Sequence, residues 1–240
     1  MQFSIVIPVY NEAGNVAPLV AEISRAMDGA GAFEIICVDD GSDDATGCEL
    51  RELRRHCPAL RVLRHRRRNG QSGALLSGVR AARAPWIITL DGDGQNDPAD
   101  IPLLIARLGI RSPLTQPRML IGYRTERRDN TLRRWSSCIA NAVRSRLLQD
   151  ATPDTGCGLK LFPRDAFLSL PAFDHMHRFL PALVQRQGGE TRSLAVNHRE
   201  RRGGKSKYGI VDRLWVGIVD MLGVWWLQRR TRRPIVTEPR

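Results

Sequence analysis

The sequence predicts a doubly wound α/β fold on a mostly parallel sheet, and three observations carry the prediction. Short apolar, β-branched runs recur through the first 125 residues, helix-period segments separate them, and the runs are unbroken enough to be buried on both faces. Length and composition agree with it. A chain of 240 residues with 42% apolar and 26% charged side chains suits one large domain with a real core. The same numbers exclude a disordered, collagenous or integral membrane chain, and no apolar stretch is long enough to span a bilayer.

The elements follow in order. The first strand is expected at 3–9; it has no basic flank and runs into Asn11-Glu12 rather than a small-residue cleavage site, so it does not read as an export signal. Helix-period segments are expected over 16–27, 45–56, 72–82 and 101–108, the second capped by Ser42 and Asp43. Strands at 34–38, 61–63, 86–90 and 119–121 alternate with them, the pattern of a doubly wound sheet. Pro and Gly interrupt the chain around 109–117, and Arg-rich sequence after Gly122 places a subdomain boundary near residue 125. Beyond it, helices are expected over 132–148 and 210–228, which divides the chain into 1–125, 126–209 and 210–240.

The formal charge is +12, and 34 of the 37 basic residues are Arg, the three lysines being Lys160, Lys205 and Lys207. Such a balance suits anionic lipid, phosphate-bearing small molecules or nucleic acid. Nucleic acid is not expected, because the runs Arg66-Arg67-Arg68 and Arg229-Arg230 lack interleaved aromatics and no recognised motif accompanies them. Five cysteines without C-x-x-C spacing indicate neither a disulfide framework nor a zinc site, and the expected compartment is the reducing cytosol. His175 and His177 have metal-like spacing but no third ligand nearby. Cys157 has no local histidine to activate it, so a structural thiol is expected.

In an open parallel sheet ligands bind beyond the carboxyl ends of the strands. Here those ends are polar: strand one runs into Pro8-Val9-Tyr10-Asn11-Glu12, strand two into Asp39-Asp40-Gly41-Ser42, and strand four into Asp91-Gly92-Asp93-Gly94-Gln95. Neither a G-x-G-x-x-G turn nor a P-loop is present, so a diphosphate must be held another way. Asp91 and Asp93 offer two hard oxygen ligands, and Gln95 a third, to a Mg²⁺ or Mn²⁺ that keeps other positions for diphosphate and water. An EF-hand is excluded, because Asn96 stands where its turn needs Gly and Pro102 where it needs a bidentate Glu.

The ordered motifs IPVYNE (7–12), VDDGSDDAT (38–46), RNGQSGALLSG (68–78) and LDGDGQNDP (90–98), with DTGCGLKLF (154–162) and RRGGKSKYG (201–209), resemble the family 2 inverting glycosyltransferases of GT-A fold. Within that family the likeness is to polyprenyl-phosphate sugar synthases of the dolichol- and undecaprenyl-phosphate type. The resemblance implies a metal-dependent hexosyltransferase moving a sugar, with inversion, from a UDP- or GDP-sugar to a polyprenyl phosphate. Residues 1–125 would form the donor and metal half, 126–209 the acceptor half with a basic lid loop.

Residue by residue, the resemblance implies that Pro8, Tyr10, Glu12, Asp39 and Asp40 hold base and ribose. Asn69 and Gly70 would lie near ribose and diphosphate, at a helix N-terminus that supplies donors, and Asp91, Asp93 and Gln95 would ligate the metal. Arg124, Arg133 and Ser137 resemble acceptor-phosphate contacts, and Arg201, Arg202 and Lys207 a loop closing over the diphosphate. Asp154 resembles either an acceptor-orienting residue or a base; the DTGCG sequence departs from the commoner D-x-T-S-G. The rival within the family is a hydroxyl acceptor, for which Asp154 would be an essential base.

The segment 210–228 puts Ile210, Val211, Leu214, Trp215, Ile218, Val219, Met221, Leu222, Trp225 and Trp226 on one half of a helical wheel. Asp212, Arg213 and Asp220 lie on the other half, so an in-plane helix on an anionic membrane is expected, peripheral on the inner face of the cytoplasmic membrane. The alternative is that its apolar face packs on this chain, on a second copy or on a membrane protein.

Overall fold

The computed structural model describes residues 1–108, 118–124, 143–150, 152–200 and 210–230, the last segment with side chains from residue 216 onward. Alternation of side chains organises the centre. In β1 (Phe3–Val9) the residues Phe3, Ile5, Ile7 and Val9 enter one hydrophobic cluster, while Val6 enters the other. A strand buried on both faces needs helices on both faces, and the chain supplies them. Val16, Leu19, Val20 and Ile23 of α1 (Val16–Ala26) cover the first face, joined by α2 (Thr46–His56) and α4 (Ile101–Leu108). α3 (Gly70–Ala81) covers the second. Gly78 lets it lie directly on β1, since a Cβ there would meet Val6 Cγ1 at 2.3 Å.

Among the described residues seven strands form one sheet in the order β3-β2-β1-β4-β6-β5-β7. β2 (Phe33–Asp39) and β4 (Trp86–Thr89) flank β1 in parallel, and β3 (Leu60–Arg64) continues outward from β2. The order therefore reverses between β1 and β4, which opens a crevice at their carboxyl ends. Pro8 is tolerated in so central a strand because the β1–β4 ladder stops at Val6. The five expected strands are all present, β5 running over Arg118–Arg124.

Two strands were not expected. β6 (Lys160–Pro163) inserts antiparallel between β4 and β5, and β7 (Glu190–Val196) adds in parallel to β5 at the edge. One sheet thus draws its strands from both sides of the boundary expected near residue 125. β6 has only four residues and begins with Lys; β7 reads ETRSLAV and keeps much of its length half-buried, so neither shows the apolar run of an interior strand. Helices α6 (Arg164–Leu168) and α7 (Leu180–Arg186) are also new, each too short for a visible period. Of the helix expected over 132–148, residues 143–148 are described and helical, and form α5.

Two local expectations change. Ser42 and Asp43 do not cap α2, whose cap position is Ala45; instead Ser42 Oγ accepts from Asn11 N at 3.0 Å and Asp43 Oδ1 accepts from Asn11 Nδ2 at 2.5 Å. The two loops after β1 and β2 are tied to each other. α3 begins at Gly70 rather than residue 72, because Asp40 accepts from the backbone N–H of both Asn69 and Gly70 at 2.8 Å.

The last helix, α8 (Ile210–Arg229), exists as expected but turns a different face inward. Val224 is buried, Met221 and Trp225 pack on the second core, and Asp220 from the polar side meets His175 Nδ1 at 3.1 Å. Val216, Val219, Leu222 and Trp226 face outward. The apolar half of the wheel is shared between the core and the outside. Among the described residues no helix is long and apolar enough to cross a membrane.

Candidate active site at the carboxyl edge of the sheet

The crevice between β1 and β4 gathers the three polar strand ends. After β1, Glu12 is buried and accepts from Asn15 Nδ2 at 2.8 Å, while its backbone N–H donates to Thr46 Oγ1 at 2.9 Å. Tyr10 lies under the guanidinium of Arg68, 4.5 Å from its ring centroid. After β2, Asp39 is 1% exposed; its Oδ1 accepts from Ser42 N at 2.9 Å, while Oδ2 accepts no hydrogen bond and faces Arg64 Nε at 3.4 Å. Asp40 spends both oxygens on the first turn of α3, and Oδ1 also meets His65 Nδ1 at 2.7 Å. Asp40 therefore builds the Asn69–Gly70 turn from within. Gly70 sits at φ +77°, a conformation that other residues adopt only under strain.

After β4, Asp91 and Asp93 occupy the loop that the sequence singles out. Gln71 Nε2, from the first turn of α3, donates to Asp91 Oδ1 at 2.8 Å, and Gln95 N donates to Asp93 Oδ1 at 3.1 Å. Neither acid is ion-paired among the described residues. Burial pushes the Asp91 carboxyl up to about 6, the Asp93 charge adds to it, and Lys160, Arg124 and Gln71 oppose it. Gly158 packs against this acid so closely that a Cβ there would sit 2.4 Å from Asp91 Cγ.

The donor set fits a hard divalent cation. No cluster of three or more His, Cys, Asp or Glu is assembled among the described residues, so there is no all-protein cage. Two adjacent, unpaired carboxylates match Mg²⁺ or Mn²⁺, which takes few protein ligands and fills its sphere from phosphate and water. The third expected ligand, Gln95, is held at the same loop: its side-chain Nε2 lies 3.4 Å from His198 Nε2, and its backbone carbonyl accepts from Arg199 N at 2.9 Å. His198 was not singled out from the sequence. It arrives just after β7, an unexpected strand, through a bridge between Asn96 and His198.

Asp154 and Arg124 form one unit. Arg124 Nε and Nη2 donate to the two Asp154 oxygens at 2.6 and 3.0 Å, a bidentate pair with both partners largely buried. Arg144 of α5 supports the same turn, donating to Thr155 Oγ1 and Thr152 O and pairing with Asp150. Cys157 is buried, with burial the first cause holding its thiol above the ordinary range, as a structural thiol requires. The zinc-like pair is dispersed: His175 meets Asp220 of α8 and His177 Nδ1 meets Ser72 Oγ at 2.8 Å. Arg133, Ser137, Arg201, Arg202 and Lys207 lie outside the described residues.

A partly open cavity of about 220 Å³ adjoins Asp91, lined by Gln71, Gly156, Gly158, Lys160, His177 and Arg178 together with the apolar Leu75 and Leu90. Lys160 and Arg178 were not singled out from the sequence either, and His177 only for its metal-like spacing with His175. One signal was available: in a chain with 34 Arg and three Lys, one Lys opens the apolar run of β6. A larger cavity of about 630 Å³ lies between α5, α7 and α8, and holds none of the strand-end acids.

Comparison with known proteins agrees with this architecture. The model of glycosyl transferase family 2 matches residues 4–170. The chain is 37% identical to a dodecaprenyl-phosphate galacturonate synthase of Rhizobium johnstonii over 98% of this chain and 69% of that protein. It is 36% identical to an undecaprenyl-phosphate 4-deoxy-4-formamido-L-arabinose transferase of Pseudomonas paraeruginosa, over 85% of this chain but 60% of that protein. The chain thus spans about two thirds of the length of these relatives. In fold it resembles glucosyl-3-phosphoglycerate synthase of Mycobacterium tuberculosis, solved with Mn²⁺, UDP and phosphoglyceric acid. That match has a TM-score of 0.69 at 19% identity, covering 97% of this chain and 80% of that one. The sheet, the acidic crevice and the family match agree: this chain belongs to glycosyl transferase family 2, with the GT-A fold.

Proposed function

We propose that the protein transfers a sugar from a nucleoside diphosphate sugar, UDP-linked in the first instance, to a polyprenyl phosphate. The observation that carries the reading is the pair Asp91 and Asp93, two acids that form no ion pair among the described residues and stand at the switch point of the sheet, one of them with its carboxyl pushed up to about 6. A bound Mg²⁺ or Mn²⁺ would be held by Asp91 and Asp93, with Gln95, and would neutralise charge growing on the departing diphosphate. The crevice around Pro8, Tyr10, Glu12 and Asp39 would take base and ribose, while the Asn69–Gly70 turn would aim backbone donors at the diphosphate.

The acceptor phosphate oxygen forms the new bond to the anomeric carbon as the bond to the diphosphate breaks, and the nucleoside diphosphate leaves with the electron pair. A phosphate monoester is already ionised near neutral pH and needs no proton removed. The Arg124–Asp154 pair supports a phosphate acceptor over a hydroxyl one, because a carboxylate engaged on both oxygens by a guanidinium is a poor base. Asp154 is assigned the task of aiming Arg124, and Arg133, Ser137, Arg201, Arg202 and Lys207 are assigned to the two phosphate groups. The test is transfer assayed with both acceptor types. Lys207→Ala and Arg133→Ala should reduce transfer to polyprenyl phosphate far more than Asp154→Asn; collapse with Asp154→Asn alone would move the case to a hydroxyl acceptor.

The outward residues Val216, Val219, Leu222 and Trp226 of α8, with Arg229 and Arg230 at its end, support membrane attachment on the cytoplasmic side, where the acceptor's lipid would lie. Because Val224 of the same helix is buried in the core, the informative variant changes the outward face alone. Leu222→Ser with Trp226→Ser should release the protein from anionic vesicles without loss of nucleotide binding. Unchanged flotation would assign the face to a protein partner or a second copy.

A further inference from the structure

The cavity beside Asp91 carries more than a generic sugar site. Its walls come from four places that only the fold brings together: the end of β4, the start of α3, the loop before β6 with β6 itself, and the 3-10 turn Met176–Arg178. At about 220 Å³ it is smaller than the roughly 300 to 1,000 Å³ of sites for drug-sized ligands, so it suits one monosaccharide ring and not a nucleotide. Leu75 and Leu90 provide an apolar surface for the C–H face of a ring, and Gln71 provides an amide.

Charge is the distinctive feature. Lys160 is 4% exposed, its Nζ donates to the carbonyl oxygen of Cys157, and among the described residues it forms no ion pair. Burial disfavours the charged ammonium, the Asp91 and Asp154 carboxylates offset part of that cost from beyond ion-pair distance, and an anion in the cavity would offset more of it. Arg178 brings a second cation to the wall, a planar fork matched to carboxylate geometry. His177 adds no charge, since burial holds its pKa well below the ordinary histidine range. Asp91 is the one carboxylate among the lining residues, and its charge is already committed to the metal in the function proposed above.

We propose that this cavity seats the transferred sugar and that Lys160 and Arg178 select a sugar bearing a carboxylate, a hexuronate. The inference rests on the donor reading above and adds the class of sugar to it. The nearby diphosphate is a second source of negative charge, and the experiment separates the two. Calorimetric titration with Mn²⁺ present compares UDP, UDP-galactose and UDP-galacturonate on the whole chain, wild type against Lys160→Met and Arg178→Gln, with GDP as a base control. The wild type should bind the uronate donor about tenfold or more tightly than the neutral hexose donor, and both variants should erase that difference while UDP affinity stays within about twofold. Arg178→Gln, on a half-buried wall residue, keeps the test open should Lys160→Met fail to fold. Equal wild-type affinity for the two sugars overturns the proposal, as does a loss of UDP affinity as large as the loss of uronate affinity. Failure of every nucleotide to bind would overturn the donor reading itself, an outcome distinct from either.

Discussion

Two acids of the same sheet, Glu34 at its amino edge and Asp91 beyond its carboxyl edge, are in opposite electrostatic states. Glu34 is buried, yet Ser4 Oγ, Arg61 Nη1 and Arg83 N donate to its two oxygens at 2.7, 2.6 and 2.7 Å. Burial alone would raise its pKa; the bonds from Ser4, Arg61 and Arg83 reverse that and hold it below the usual carboxylate range. Asp91 receives one side-chain hydrogen bond, faces Asp93 and is pushed up to about 6. One edge satisfies its acid from within the chain. At the other edge Asp91 and Asp93 form no ion pair among the described residues, an arrangement suited to a divalent cation.

The largest effect expected from this contrast is on catalysis. Asp93→Ala should lower transfer on the order of 10²-fold or more while leaving the unfolding curve unchanged, because the lost carboxylate stabilises developing charge and packs against little. Turnover near wild type in saturating Mn²⁺ would overturn the metal assignment.

Next comes the structural acid. Glu34→Gln should cost about 3 kcal/mol in urea denaturation while the folded fraction keeps its activity, since Arg61 would lose its charged partner in a buried setting. Its folded pKa lies below the unfolded one, so its contribution is present above the unfolded pKa and fades as pH falls through the folded value. The deficit of Glu34→Gln should therefore hold at pH 7 and shrink in acid.

Asp91 should behave in the reverse way. Its folded pKa of about 6 exceeds the ordinary 3.8, so the ligand-free fold loses stability as pH rises from below 3.8 through about 6. Asp91→Asn should then raise the stability of the metal-free protein by about 1 kcal/mol at pH 8 and leave it unchanged near pH 3, while losing metal-supported nucleotide binding. Destabilisation by Asp91→Asn at pH 8 would mean that the carboxylate is a structural one like Glu34. A double-mutant cycle on Arg124→Gln and Asp154→Asn should give a coupling of about 2 kcal/mol for the bidentate pair, and additivity would show that the two act separately. The smallest effect is expected at Asp43→Ala, within about 0.5 kcal/mol, because the exposed Asp43 tethers Asn11 and caps no helix. A loss above about 1 kcal/mol would restore it as a cap.

The catalytic edge was legible from the sequence to an uneven degree. Asp91 and Asp93 were readable because an apolar run ended directly in them, a local signal. Asp40 was readable as important, but its engagement with the Asn69–Gly70 turn depends on a contact across about thirty residues of chain. Lys160, His177, Arg178 and His198 reach the site on β6, on the 3-10 turn before α7, and just after β7. None of those elements has an apolar period of its own.

By itself the sequence determined the alternation of β1 to β4 with α1 to α4, the acids at three strand ends, the family and the existence of α8. Each is written in residues adjacent in the chain, in periods of 2.0 and 3.6 or in a single turn. Tertiary structure alone decided that β6 enters the sheet antiparallel between β4 and β5, which buries Lys160 next to Asp91. It also decided that Arg124 locks Asp154, and that α8 turns Asp220 and Val224 inward and Trp226, 55% exposed, outward. The physical reason is common to all three. A short polar strand, an ion pair and a helix face take their places from the surfaces that distant segments present, and those surfaces exist only once the sheet has formed.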